Sequence, residues 1–256
     1  MKKVISQIYE IQTPKEAELI VNAGVDHVGS VIVSARDWKQ ARIKETLDLV
    51  AQTDAKSSLI LLYNEPDLVF SSLEYYRPDI VHFCEILIDS QTQDTPGANC
   101  RALVQLQAQI RKNFPEIKIM RTIPIPDNNL GDSIPYLEWA RIFEPVSDYF
   151  LTDTLIVSQP GNGDQPVEGF VGITGKSCDW KSAARLVEAS RIPVILAGGL
   201  SPDNVYPGIK TVRPAGVDSC TLTNACDACD RPIRFKKDMA KVKQFLAEMR
   251  RASAEF

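Results

Sequence analysis

The chain has 256 residues, 44% of them apolar and 24% charged, with a formal charge of -4 and no block of like charge. That balance is ordinary for a globular protein and argues against a nucleic-acid surface. No run approaches the ~18 apolar residues of a membrane span, and Met1-Lys2-Lys3 leads straight into a strand-like run rather than an export signal. A cytoplasmic protein with no nucleic-acid or membrane partner is expected. The length suits one barrel of eight parallel strands, so residues 1–256 are expected to form a single domain, with the oligomeric state left open.

Short β-branched runs alternate with amphipathic stretches from end to end. The strand-like run Val4–Tyr9 precedes a helix over Thr13–Ala23, His27–Val33 precedes Lys39–Gln52, and Ser58–Tyr63 precedes a helical stretch near Glu65–Tyr76. Next come Ile80–Cys84 with Cys100–Asn113, then Ile117–Thr122 with Asp132–Phe143. Tyr149–Thr152 is followed by a long loop, Asp153–Gly169, and by a helix over Lys181–Ala189. Pro193–Ala197 precedes Pro202–Val212, and Gly216–Ser219 precedes Lys236–Arg250. Eight strand-then-helix units predict an α/β fold, a single (β/α)8 TIM barrel. An open doubly wound sheet would want a glycine-rich first turn, and Glu10-Ile11-Gln12-Thr13 has no glycine. Thr13-Pro14 and Ser201-Pro202 each put a capping hydroxyl before a proline at a predicted helix start.

In such a barrel the loops after the last two strands commonly hold a phosphate. Gly198 and Gly199 leave the seventh strand just before Ser201-Pro202, and Thr221 and Thr223 follow the eighth, so these four are the candidate phosphate ligands. The bland alternative for the glycine pair is a tight turn. Six cysteines without an export signal read as reduced thiols; Cys226 and Cys229 have a metal-site spacing, but the set fits no standard pattern and no metal or other cofactor is expected. His27 and His82 lie within strands and read as structural histidines, with His82 nearer a strand end. Asp218 reads as a structural hydrogen-bond acceptor. Arg121, at a predicted strand end, either meets an anionic ligand or pairs with Asp153 or Glu85.

Several longer runs are specific. Gly172-Ile173-Thr174-Gly175-Lys176-Ser177-Cys178-Asp179-Trp180 resembles the Gly-Gly-Ser/Thr-Gly-Lys-x-Phe-Asp-Trp loop of the phosphoribosylanthranilate isomerases of tryptophan biosynthesis. Gly198-Gly199-Leu200-Ser201-Pro202-Asp203-Asn204-Val205 resembles that family's Gly-Gly-Leu-Asn-Pro-Glu-Asn-Val segment. Val212-Arg213-Pro214, Val217-Asp218 and Lys236-Lys237-Asp238 are similar too, as are, more loosely, Ala23–Gly29 and Arg77–Val81.

The resemblance implies an aldose–ketose isomerase, an intramolecular oxidoreductase that runs an Amadori rearrangement on a small phosphorylated metabolite. An aspartate ending the sixth strand is then the general acid, which places Asp153 in that role, and a cysteine ending the first strand is the general base. The family's Lys-Ile-Cys-Gly-Ile-Thr corresponds here to Gln7-Ile8-Tyr9-Glu10-Ile11-Gln12, so Tyr9 stands at the base and Gln7 at a substrate-binding position. Cys84 or Glu10 is a substitute base. Arg36 is near the arginine expected to meet the anthranilate carboxylate, but about two positions early, where Trp38 holds the matching place; Gly175 and Arg121 complete the candidate substrate ligands. The Gln-Leu-His-Gly stretch becomes His82-Phe83-Cys84-Glu85, and the family's Ser-Gly after the eighth strand becomes Thr221-Leu222. Three outcomes stay open: the family reaction with a substitute base, a different reaction on a related metabolite, or a barrel that binds a metabolite or partner without turnover.

Overall fold

Parallel strands need long crossovers, and a chain that repeats strand and helix eight times supplies one for each pair. In the computed structural model, which describes residues 3–87, 98–127, 134–156 and 167–255, the strands close into a barrel. They are β1 (Ile5–Ile8), β2 (His27–Ile32), β3 (Lys56–Leu61), β4 (Ile80–Phe83), β5 (Lys118–Pro126), β6 (Tyr149–Leu155), β7 (Val194–Leu196) and β8 (Gly216–Ser219). Each pairs in parallel with the next, and β8 pairs back to β1 in the register Gln7 to Asp218. The crossovers carry helices α1 (Pro14–Asn22), α2 (Ala41–Val50), α3 (Pro66–Tyr76), α4 (Ala98–Asn113), α5 (Tyr136–Phe143), α6 (Trp180–Ala189), α7 (Val205–Val212) and α8 (Met239–Ser253). The (β/α)8 fold expected from the alternation is the fold observed.

Side chains alternate across a strand, and in a closed barrel this sorts each strand into an inner and an outer set. Tyr9, Val31, Ile80, Met120, Leu151 and Ile195 form an inner cluster. The residues between them, such as Ile8, Val28, Phe83, Ile119, Phe150 and Leu196, pack outward in two larger clusters with the helices. The same parity carries Asp153 and Asp218 inside and Arg121 outside.

Three expected boundaries that bear on the site move. The helix expected from Pro202 begins at Val205, because the Asn204 side chain accepts from Ser201 N–H at 2.8 Å and donates to Gly199 C=O at 2.8 Å, holding Ser201–Asn204 as a turn. The helix expected from Lys236 begins at Met239, capped by Asp238, which accepts from the N–H groups of Ala240 and Lys241. Lys236 and Lys237 instead end a hairpin that the alternation did not reveal, β9 (Asn224–Cys226) with β10 (Pro232–Lys237). Strand β6 runs on to Leu155, so Asp153 is a strand residue rather than the start of a loop. The expected helix start at Asp132 and most of the loop expected over Asp153–Gly169 lie outside the described residues. The cap at Thr13 is present, its hydroxyl accepting from Glu16 N–H at 3.2 Å.

Candidate active site

Two adjoining cavities open among the C-terminal ends of the strands. The first, with about 550 Å3 of atom-free space, is walled by Val31, Ile60, Leu62, Leu151, Phe170 and Ile173, with Tyr9, His82 and Cys84 toward the barrel interior. The second, with about 310 Å3, is lined by Gly175, Gly198, Gly199, Ser219, Thr221 and Leu222. Asp153, Ile173, Asp218 and Cys220 line both. One half of the site is therefore apolar, the other is backbone and hydroxyl, and two carboxyl groups stand between them.

The second cavity has its shape because backbone approaches backbone. Gly198 (φ +90°) and Gly199 (φ +61°) hold conformations that side chains resist, and a Cβ on Gly199 would sit 2.6 Å from the Lys176 carbonyl carbon. The close approach that requires the pair is thus to the loop Gly172–Cys178, which Thr154 Oγ1 ties down by donating to Lys176 C=O at 2.6 Å. Glycine here serves packing first, and a small polar cavity follows from it.

Burial governs the two carboxyls. Asp153 lines both cavities and is half-buried; burial raises its pKa to about 6, against a hydrogen bond from Thr154 N–H at 2.7 Å. Asp218 is 6% exposed, and its Oδ1 has no hydrogen-bond partner among the described residues. Burial, then the neighbouring Asp153 charge, push Asp218 to about 8. Burial thus favours the protonated form of both carboxyls, Asp218 more strongly than Asp153.

Beneath them runs a chain of hydrogen bonds across the inner face. The Tyr9 hydroxyl meets Ser58 Oγ at 2.6 Å and His82 Nδ1 at 2.8 Å, and His82 Nε2 meets Thr122 Oγ1 at 2.7 Å. The phenol ring lies over Gly29, in space that any Cβ there would occupy. Burial lifts the Tyr9 pKa well above its ordinary 10 and lowers that of His82 to about 3, so both are neutral at physiological pH.

Glycine-like backbone persists under side chains at two places around the mouth. Glu10 (φ +67°) and Ile173 (φ +62°) occupy the left-handed region, and the resembling motifs have glycine at both. For a β-branched residue this is a true outlier, costing about 1–3 kcal/mol. Glu10 is anchored there: Arg234 of the hairpin donates to it at 2.7 Å and Asn224 at 3.2 Å. Ile173 adds an apolar surface to both cavities.

The structure brings together Asp153, Tyr9, Cys84, Gly175, Gly198, Gly199 and Thr221 from the expected set. It places the rest elsewhere. Gln7 is one inward layer deeper, its amide oxygen accepting from His27 Nδ1 at 3.0 Å and its amide nitrogen donating to Met120 Sδ at 3.8 Å. Thr223 is fully buried, its hydroxyl donating to Cys220 C=O at 3.0 Å. Arg36 is exposed and lines neither cavity. Arg121 faces outward, 0% exposed, pairing with Glu85 at 2.7 Å beneath the Phe143 ring. Burial raises the pKa of both Tyr9 and Cys84, which disfavours phenolate and thiolate in the resting site. Sequence reasoning missed Asp218 as a site residue; the available signal was strand parity, since Asp218 shares a face with Cys220 two residues on, as Asp153 does with Leu151 on β6. Among the described residues no three His, Cys, Asp or Glu side chains gather as metal ligands, and no helix is long and apolar enough to cross a membrane.

A closed parallel barrel with an apolar cavity, a glycine-lined polar cavity and carboxyls at their junction defines a (β/α)8 protein with a small-molecule site at its C-terminal rim. Residues 130–221 match the family model described as N-(5'-phosphoribosyl)anthranilate (PRA) isomerase. The chain is similar to N-(5'-phosphoribosyl)anthranilate isomerase of Methanocella arvoryzae, with 28% identity over 243 residues, 93% of this chain and 94% of the relative. Among solved structures it resembles the same isomerase from Pyrococcus furiosus, with 20% identity, a TM-score of 0.64, and 97% of this chain and 100% of that one covered. Another, in complex with reduced 1-(o-carboxyphenylamino)-1-deoxyribulose 5-phosphate, aligns at 19% identity and a TM-score of 0.63 over 97% of this chain and 99% of that one. The chain is similar in sequence to the phosphoribosylanthranilate isomerases.

Proposed function

We propose that the chain is an isomerase of phosphoribosylanthranilate isomerase type, acting on a phosphorylated aminosugar with the phosphate in the second cavity and the sugar's C1 substituent in the first. The observation that carries this reading is the position of Asp153, bordering both cavities, with a pKa raised to about 6. A sugar phosphate spanning the cavities puts its C1–C2 end beside the two carboxyls. Asp153 gives a proton to the ring oxygen, the C1–nitrogen bond gains double-bond character and the ring opens. The carboxylate of the Asp153–Asp218 pair then removes the proton from C2, leaving an enolamine that tautomerises to the ketone. Two carboxyls whose pKa values burial raises to different extents can serve one as acid and the other as base, which replaces the missing cysteine. Gly175, Gly198, Gly199 and Thr221 are the phosphate's neighbours in this arrangement.

The test is turnover of an N-aryl 5-phosphoribosylamine. Asp153→Asn is expected to lower kcat by about 10^3-fold, the scale of a lost general acid, while ribose 5-phosphate binds within about threefold of the unaltered protein. Full activity in that variant removes Asp153 from the chemistry. A second reading, binding without turnover, draws on the tied hydroxyl of Tyr9 and the un-ionised Cys84; it is correct if the unaltered protein binds ribose 5-phosphate and turns over no N-aryl phosphoribosylamine.

A further inference from the structure

On the isomerase reading, the first cavity receives whatever the sugar phosphate carries on its C1 nitrogen. Its wall is apolar, through Val31, Ile60, Leu62, Leu151, Phe170 and Ile173, and its ionisable members are acids, Glu10, Asp153 and Asp218, with His82 held neutral. No lysine or arginine lines it among the described residues. The guanidinium of Arg234, beside the lining residue Glu10, is already paired with that carboxylate, itself only 1% exposed. Arg121 is spent on Glu85 behind the strands, and exposed Arg36 stands outside the lining. The remaining segments add nothing of that sign: 88–97, 128–133 and 157–166 contain no Lys, Arg or His in their sequence, but four aspartates, Asp89, Asp94, Asp132 and Asp164.

A carboxylate entering this cavity would leave water for an apolar wall, face Asp153 and Asp218, and find no lysine or arginine in the described lining, the Lys237 ammonium being taken up by Cys220 C=O at 2.7 Å and by Asn224 Oδ1 at 2.5 Å. An uncharged ring of the same size would lie against the apolar wall with no charge to leave unpaired. Discrimination by leaving a charge unpaired is strong because the desolvation it causes has no compensation. We propose that the site selects phosphorylated aminosugars whose C1 nitrogen bears an uncharged, apolar substituent over those whose substituent bears a carboxylate. The polar half of the site, which holds the phosphate, is common to both.

The experiment is calorimetric titration of the whole chain with three stable probes: 1-(phenylamino)-1-deoxyribitol 5-phosphate, its 2-carboxyphenyl counterpart, and ribose 5-phosphate. The phenyl probe is expected to bind at least about 30-fold tighter than the carboxyphenyl probe, with ribose 5-phosphate binding measurably, and Arg36→Ala is expected to leave every affinity within about twofold. Equal binding of the two aryl probes, tighter binding of the carboxylate, or a loss of carboxylate affinity in Arg36→Ala overturns the selectivity while the isomerase reading stands. If none of the three binds, ribose 5-phosphate included, the phosphosugar reading fails and the selectivity with it.

Discussion

Tyr9 occupies the space that Gly29 leaves, and its hydroxyl is held by two side chains from strands further round the barrel. Adding a methyl at Gly29 forces the ring out of its seat, which for an overpacked interior costs about 3 kcal/mol. The two positions are therefore coupled: Gly29→Ala in a Tyr9→Ala background is expected to cost at least about 2 kcal/mol less than alone, read from urea midpoints of the four proteins. Additive costs would show that the ring does not rest on Gly29. At this scale the sequence was half legible. Asp153 could be picked out because a local motif surrounds it. The occupation of Tyr9 could not, since Ser58 and His82 lie 49 and 73 residues away and only barrel closure brings them near. Nor could Glu10, whose partner Arg234 is 224 residues distant.

Strands β4 and β5 carry an ion pair on their outer face, where Arg121 and Glu85 meet under helix α5. Both are buried, and Arg121 Nε and Glu85 Oε1 lack partners among the described residues. Removing one member strands the other: Glu85→Gln is expected to cost about 3–5 kcal/mol, and the double replacement Glu85→Met with Arg121→Met to recover most of that in denaturant titrations. A double variant as unstable as the single one would mean that the pair itself, rather than its desolvation, holds these strands to the helix. Arg121's direction was written in strand parity, because Met120 and Thr122 flank it on the inner side; reading it by its place along the strand alone put it at the rim. The hairpin β9–β10 escaped for a different reason. Its first strand is three residues long, and in its second the alternation of Ile233 and Phe235 with Arg234 and Lys236 spans only four residues, none of them buried, too short a signal to mark a strand.

The whole molecule should carry the signature of its site in its pH dependence. Asp218 is held at about 8 when folded against an ordinary 3.8, so the folded state binds that proton more tightly and stability is lost as pH rises through the folded value. His27 and His82 are held at about 4 and about 3 against 6.5, so their contribution is present above pH 6.5 and is lost as pH falls below it. Between pH 6.5 and 8 the Asp218 effect dominates, with a slope of roughly 1.4 kcal/mol per pH unit. Asp218→Asn is expected to flatten that slope and to be more stable than the unaltered protein at pH 8, though deprived of turnover; an unchanged slope in thermal or urea unfolding removes the buried acid from the account. The barrel itself was readable at this scale, because eight alternating units and a parallel sheet leave few other closures. The two-part site was not, because it needs Gly198, Thr221, Ile60 and Asp153 to converge from strands far apart in the chain. The most direct measurement is a crystal structure of the protein with ribose 5-phosphate. The account predicts the phosphate against Gly175, Gly199 and Thr221, with C1 and C2 within hydrogen-bond reach of Asp153 and Asp218. A phosphate bound away from that cavity, or a sugar whose C1–C2 end points away from Asp153, would contradict it.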